Sequence, residues 1–379
     1  SASVNGAALQ GQENGCKTFY LYCNPKEILY AHLDRVKESF DRPDIIKIPL
    51  FVGNMAVAGS TRMQVTTVEL LVAGAALEAA AYQWMQQHLT EDELKVVNVA
   101  GKGALDLDAY ADAHQDLLDQ LSQGAALEGL TKAVELEYNT YMEKGLVTYL
   151  THDYLLDIMT DTTERQPTFT LPPFKKFADK NAQVSWAYVK DPLYPNTVAW
   201  QHLFRRPIKG LEWGKEDYIR MNADQQIINN PPHVSGEEVL DYNIGNEVDE
   251  SRYSRKPARL LCMDINNSAN KDVLAWFNNE KGKFSEGYVI RFGEITDEVK
   301  NDKEIHIPVK LPRTCTDLMT HLLIKLSFNL MSTATMAKMG RVFGNWMVQV
   351  LPTNKKLIDR STRIIANLAK VPYEKALEE

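Results

Sequence analysis

Short apolar runs alternate along this chain with segments that carry helical spacing. TFYLYC (18–23) leads to ILYAHLDRVKES (28–39), then IIKIPLFV (45–52), then a long helix predicted from about Val65 to Gln87. A second alternating block opens at GLVTYLT (145–151) and continues through VSWAYVK (184–190), ARLLCMDI (258–265) and GYVIRFG (287–293), with TERQPTFTLPPF (163–174) also read as strand or strand-adjacent. Strands joined through helices cannot close as hairpins, so this order predicts an α/β fold of parallel sheets flanked by helices. Ile48-Pro49-Leu50-Phe51-Val52 precedes a polar loop and a long helix containing GAALEAAA. Ile307-Pro308-Val309-Lys310-Leu311 precedes another polar loop and a long helix containing MSTATMAKMG. The recurrence predicts an internal duplication and two related α/β domains.

With 379 residues the chain has room for two sizeable cores. The expected division is 1–89 for the end of a first domain, 90–144 for a helical connector, 145–350 for a second domain and 351–379 for a C-terminal helical segment. Thr90 and Glu93 stand at capping-box spacing at the start of the connector. A polar insertion with weak periodicity, about 205–257, reads as loops and short helices. The chain opens on Ser-Ala-Ser, a loop leading into a helix and a strand, which reads as a first domain lacking its N-terminal part.

A formal charge of -8 argues against broad nucleic-acid binding, and Arg205-Arg206 before Pro207 reads as a solvated turn. Cys16, Cys23, Cys262 and Cys315 form no CxxC and no Cys/His ligand spacing, so no metal, cofactor or disulfide scaffold is expected. No apolar stretch reads as membrane-spanning and no signal peptide opens the chain, which makes the cytoplasm the expected compartment and excludes a membrane partner.

Two stretches could carry chemistry. In GNMAVAGSTRMQ (53–64), Gly59 permits a tight turn, Ser60 or Thr61 can cap the following helix, and Arg62 can add a fixed charge. A helix start of this kind favours an anion, though a capped helix with a structural arginine has the same composition. In the late helix, His321, Lys325 and Asn329 are spaced i, i+4, i+8, with Ser332 and Thr333 on nearly the same face. Set among apolar neighbours, Lys325 must snorkel or meet an anion; the plainer reading is a solvated stripe. Met319, Met331, Met336, Met339 and Met347 read as core filling. Glu69, Glu78, Glu237-Glu238 and Asp249-Glu250 single out no catalytic pair, and HExxH, GxGxxG and GxxxxGK[ST] are all absent, so the catalytic residue is unknown.

The first stretch resembles the signature of N-acetylmuramic acid 6-phosphate etherases and glucokinase regulatory proteins, which runs Gly-Pro-Glu and then Gly-Ser-Ser/Thr-Arg-Met-Lys. KLSFNLMSTATMAKMGRVFGNWMVQVLPTNKKLIDRSTRII (325–365) resembles the helical end of the same family, where Lys, Asn, Ser-Thr, Gly-Lys/Arg-Val and Gly-Asn recur in that order. The resemblance implies sugar isomerase (SIS) domains, flavodoxin-like units that bind phosphosugars. The separation of the two stretches resembles the tandem arrangement of the regulatory protein. By position it implies Ser1 and Ser3 in the phosphate loop, Gly59, Ser60, Thr61 and Arg62 as the signature loop, and Lys325 reaching the sugar phosphate. The implied partner is a hexose or amino-sugar phosphate, with a protein partner or a homodimer left open.

Departures from the pattern concern the chemistry. Met55 stands where the family has Glu, Gln64 where it has Lys, and Leu70 where it has a later Lys. The family's acid/base glutamate falls upstream of Ser1, so the resemblance assigns no catalytic residue here. Three readings follow: a phosphosugar-binding protein, an etherase-like lyase or aldose–ketose isomerase, and a partner-binding regulator that docks through 205–257.

Overall fold

The computed structural model describes residues 2–233, 235–295, 301–353 and 355–378. They fall into two compact units, 1–110 with 313–318, and 111–312 with 319–379.

The first unit begins with α1 (Ala2–Glu13), β1 (Phe19–Tyr22), α2 (Lys26–His32), α3 (Asp34–Phe40) and β2 (Ile46–Pro49). The predicted single helix over 28–39 is broken at Leu33, whose extended backbone separates α2 from α3. β1 and β2 pair in parallel, Phe19 opposite Ile46 through Tyr22 opposite Pro49. Ala8, Tyr20, Val36, Phe40 and Ile45 form the core beneath them, and Tyr20 donates to Asn5 Oδ1 at 2.5 Å. A loop then leads to α4 (Gln64–His88) and α5 (Glu91–Val99), the latter closed by the predicted capping box between Thr90 and Glu93.

α4 corrects one expectation. It is long and apolar enough to cross a membrane by length and composition, because two glutamates are its only acidic residues. One such helix is weak evidence, and Glu78 midway along it is buried among five hydrogen-bond donors of this unit.

α6 (Leu107–Leu121) starts in the first unit and continues in the second, where α7 (Gly124–Met142) leads into β3 (Leu146–Leu150), α8 (Leu155–Phe169), β4 (Ala187–Lys190) and α9 (Asn196–Phe204). The reading of 163–174 as strand is overturned: α8 continues to Phe169 with Pro167 inside it. Proline misled the reading, yet α8 contributes Ile158, Met159 and Phe169 to the core, and tertiary burial prevails over local propensity. The insertion holds α10 (Lys215–Arg220), α11 (Gln225–Asn229) and short 3-10 turns, as expected. It is pinned by buried Arg252, which donates to Thr148 Oγ1 at 3.0 Å and to the carbonyls of Val147 and Ser185 at 2.7 Å.

β5 (Ala258–Ile265), α12 (Lys271–Glu280), β6 (Glu286–Gly293) and β7 (Glu304–Pro308) complete a five-stranded, all-parallel sheet ordered β4-β3-β5-β6-β7. Numbered within the sheet this is 2-1-3-4-5, the flavodoxin-like doubly wound order. Every residue of β3 is buried, as a parallel strand covered on both faces requires. One face packs Leu150, Leu260 and Cys262 against Val273 and Phe277 of α12. On the other, Phe328 of α13 (Leu318–Lys338) meets Tyr149 and Phe292 at ring-centroid distances of 5.0 and 6.5 Å. Pro308 ends an edge strand, where a missing N–H is tolerated.

The late helix, α13, stops at Lys338. A hairpin of β8 (Val342–Phe343) and β9 (Trp346–Met347) follows, then α14 (Lys355–Ala369) and α15 (Tyr373–Glu378). Met319, Met331, Met336 and Met347 are buried as expected, and Met339 is half-buried. The fold is thus α/β with parallel sheets flanked by helices, and the order strand, loop, long helix recurs through β2 to α4 and β7 to α13.

Candidate functional site

In a 2-1-3-4-5 sheet the winding reverses beside the first strand, and ligands bind in the crevice outside the carboxyl ends of the strands there. In the second unit this is the turn Thr151-His152-Asp153-Tyr154 between β3 and α8, with the residues that follow β4 and β5. Tyr154 takes the left-handed conformation that turns the chain into α8.

On the β4 side, His152 Nδ1 lies 3.0 Å from Asp191, a fully buried carboxylate that also accepts the Leu193 and Tyr194 N–H groups at 2.8 and 3.3 Å. Those contacts fix the carboxylate and, through it, the imidazole. The His152 ring stacks on His202 of α9, with centroids 4.5 Å apart and planes 17° from parallel, and Tyr194 stands edge-on to both. The hydrogen bond that His152 donates to Asp191 raises the histidine's pKa against the opposing effect of burial. Burial, then the charges of Arg205 and His152, push His202 down. One face of the crevice thus pairs a histidine disposed to hold a proton with one disposed to stay neutral. Lys190, the last residue of β4, is buried with Nζ on the Glu247 carbonyl at 2.7 Å, and desolvation brings it down to about 8.

On the other side, His321 of α13 places Nδ1 3.0 Å from Asp157 of α8, and its ring lies 5.1 Å from that of Tyr154. Asn266, following β5, donates from Nδ2 to Thr320 Oγ1 at 3.1 Å. Gly293 ends β6 with φ +96°, and a Cβ there would fall 1.8 Å from Asn266 Oδ1, so backbone and amide can approach only without a side chain.

The polar stripe of α13 therefore has a different explanation from a solvated face. His321 meets Asp157, while Asn329 Nδ2 and Ser332 Oγ donate to buried Asp161 at 3.1 and 3.0 Å. Asp161 also accepts from Arg165 Nε at 2.9 Å, and Arg165 bridges to buried Glu137 of α7. Lys325 is half-buried on the same stripe; burial first, and the Lys325 charge second, lower the pKa of His114 on α6.

The signature loop lies in the first unit. Gly59 turns at φ +79°, Ser60 and Arg62 are buried, and Thr61 is exposed. Neither Ser60 nor Thr61 caps α4: the cap position is Met63, which makes no side-chain cap bond. Gln64, standing where the family has Lys, instead ties the loop by accepting Ala56 N–H at 2.7 Å and donating to the Asn54 carbonyl at 2.9 Å. An amide can do both, and an ammonium only the second. Ser1 lies outside the described residues. Ser3 falls inside α1 and not in a loop, and its side chain lies outside what is described.

The structure accounts for most of the remaining carboxylates. Glu78 is the acceptor of the buried network in α4, and Glu69 meets Cys23 Sγ at 3.6 Å. Burial and Glu69 push that thiol up to about 11. Glu238 pairs with Lys176, and Asp249 caps a 3-10 turn at Ser251. His152, Asp157, Asp191 and His202 were missed in the sequence. The signal available was position: HDY follows GLVTYLT and DP follows VSWAYVK, each at the carboxyl end of a predicted parallel strand.

No protein-family model matches the chain. Part of it is 52% identical over 54 residues to an N-acetylmuramic acid 6-phosphate etherase of Clostridium acetobutylicum, covering 14% of this chain and 18% of that protein. Etherases of the same name match at 40% over 85 residues in Bacillus cereus (strain AH187), 22% of this chain and 29% of the relative, and at 37% over 83 residues in Staphylococcus saprophyticus, 22% and 28%. The chain spans less than a third of the length of these relatives. Over those partial stretches, it is similar to N-acetylmuramic acid 6-phosphate etherases.

Proposed function

We propose that this chain is a phosphosugar-binding protein of the tandem-SIS type, recognising a hexose or amino-sugar phosphate. The observation that carries the reading is the 52% identity over 54 residues to a protein named for N-acetylmuramic acid 6-phosphate. The flavodoxin-like strand order and the repeated strand, loop and long helix agree with two such domains. In this reading Ser1, Ser3, Gly59, Ser60, Thr61 and Arg62 of the first unit, and Lys325 of the second, are the candidate sugar-phosphate residues, with Arg62 and Lys325 supplying positive charge. A cytoplasmic location and a regulatory role through a protein partner or homodimer belong to the same proposal.

One observation favours an enzyme as the second reading. His152–Asp191 and His321–Asp157 are histidine–carboxylate pairs at the carboxyl edge of one sheet, and such pairs can move protons near neutral pH. An etherase-like lyase or an aldose–ketose isomerase needs a base of that kind at the sugar carbons.

Thermal shift against fructose, glucosamine and N-acetylmuramic acid phosphates tests the binding reading. It expects a rise with at least one of them that Lys325→Ala reduces; a flat response with all three, in both proteins, refutes it. Release of lactate from N-acetylmuramic acid 6-phosphate, lost in His152→Ala or His321→Ala, would establish the lyase reading, and no release refutes that version alone.

A further inference from the structure

The β3–α8 turn and the end of α9 gather three potential metal ligands. One atom each from His152, Asp153 and His202 lie within 4.8 Å of one another. Two features separate them from chance neighbours. His152 commits Nδ1 to buried Asp191, the arrangement in which a carboxylate orients a metal-binding imidazole and leaves Nε2 to coordinate. His202 Nε2 is buried and meets no hydrogen-bond partner among the described residues. A structural His–Asp hydrogen bond accounts for His152 alone. It leaves unexplained a buried ring nitrogen on the very residue stacked against it, a group that ordinarily finds a partner.

We propose that His152, Asp153 and His202 bind a divalent transition-metal cation, with Asp191 orienting His152. Two imidazoles and a carboxylate suit borderline cations such as Zn2+, and three protein ligands leave a position for water or substrate. The charges of Asp153 and Asp191 offset that of the cation. All three ligand residues are half-buried. The rings stand face to face, 4.5 Å apart, and a cation must lie in the plane of each imidazole it binds. Coordination by both rings therefore requires His202 to turn out of the stack, giving up the 3.4 Å contact between its Nδ1 and Arg205 Nη1.

Equilibrium dialysis of the full chain against Zn2+, with Co2+ absorption as a report on ligand type, tests the site. One saturable equivalent is expected, with a Co2+ spectrum of nitrogen and oxygen ligation. His202→Ala and Asp153→Asn, checked for native circular dichroism, are expected to weaken it about 10-fold or more, and Asp191→Asn by about 10–100-fold. Absence of saturable binding overturns the proposal, as does binding indifferent to His202→Ala and Asp153→Asn. A thiolate charge-transfer band overturns it as well, since it would assign the cation to a cysteine such as exposed Cys16.

Discussion

Replacing Glu78 with alanine removes the acceptor on which a whole polar cluster of the first unit converges. Its Oε1 accepts from Thr314 Oγ1 at 2.6 Å, Thr316 N at 3.0 Å, Leu318 N at 3.3 Å and Thr316 Oγ1, and its Oε2 accepts from Tyr110. The hydroxyls can rotate toward other acceptors, but the two backbone N–H groups cannot. The buried Leu318 N–H left unpaired costs about 1–3 kcal/mol and the part-buried Thr316 N–H less, and the lost charge-assisted bonds and volume bring the total to roughly 3–5 kcal/mol. Against a domain stability of about 5–15 kcal/mol this is severe, and the unit's melting temperature should fall by on the order of 10–20 °C. Calorimetry reads the melting, and hydrogen exchange of peptides covering 313–318 reads the local loss of protection. Glu69→Ala, which among the described residues removes a 3.6 Å contact with Cys23, serves as the control. The pH dependence has a definite sign. Burial raises the Glu78 pKa, but bonds from Thr314, Thr316 and Tyr110 outweigh it and leave the carboxyl below its ordinary value. A depressed carboxyl contributes stability that is present above its unfolded pKa and lost as pH falls through the folded one. Glu78→Gln should flatten that acid limb. If Glu78→Ala melts within about 0.5 kcal/mol of the parent and 313–318 exchanges no faster, the network is not what holds these segments.

Three further outcomes follow from the second unit. Arg165→Leu leaves the buried carboxylates Glu137 and Asp161 without their counter-charge and should destabilise by about 3–5 kcal/mol in urea unfolding at neutral pH. NMR titration should place His152 above and His202 below the ordinary histidine value, and Asp191→Asn should lower His152. Because the folded His152 pKa is raised, its stabilisation is full below the unfolded value and disappears as pH rises through the folded one. Lys190, near 8 in the fold and about 10.4 unfolded, should make stability climb with pH between those values, and Lys190→Met should abolish that climb in alkaline unfolding series.

The strands were legible because each is a short apolar run whose burial decides its conformation. GLVTYLT, VSWAYVK, ARLLCMDI and GYVIRFG became β3 to β6 at nearly the predicted bounds. Local chemistry misled wherever packing opposed it. TERQPTF carries threonines and a proline and reads as extended, yet Arg165 and Phe169 are buried there, and only the helix brings Arg165 to both Asp161 and Glu137. The break at Leu33 and the stop at Lys338 were likewise invisible, since neither carries proline and the glycine at 340 follows an uninterrupted methionine-rich pattern.

The site was less legible than the fold, for a physical reason that its histidines illustrate. Motif spacing detects ligands held on one helix or one loop, where sequence distance fixes spatial distance. His152 and His202 come from a strand end and a separate helix, and His321 meets Asp157 across 164 positions. Such distances are set by strand order, which is what a sequence with no partner for comparison specifies least directly. Strand order can nevertheless be reasoned toward. Parallel strands joined by right-handed crossovers leave few arrangements, and each places the residues following successive strands along one edge. A reading that tallied the polar residues just after every predicted parallel strand would have reached Thr151 to Tyr154, Asp191 and Asn266 together. It would have ranked that edge beside the GSTR loop, whose residues drew attention because they are adjacent in sequence.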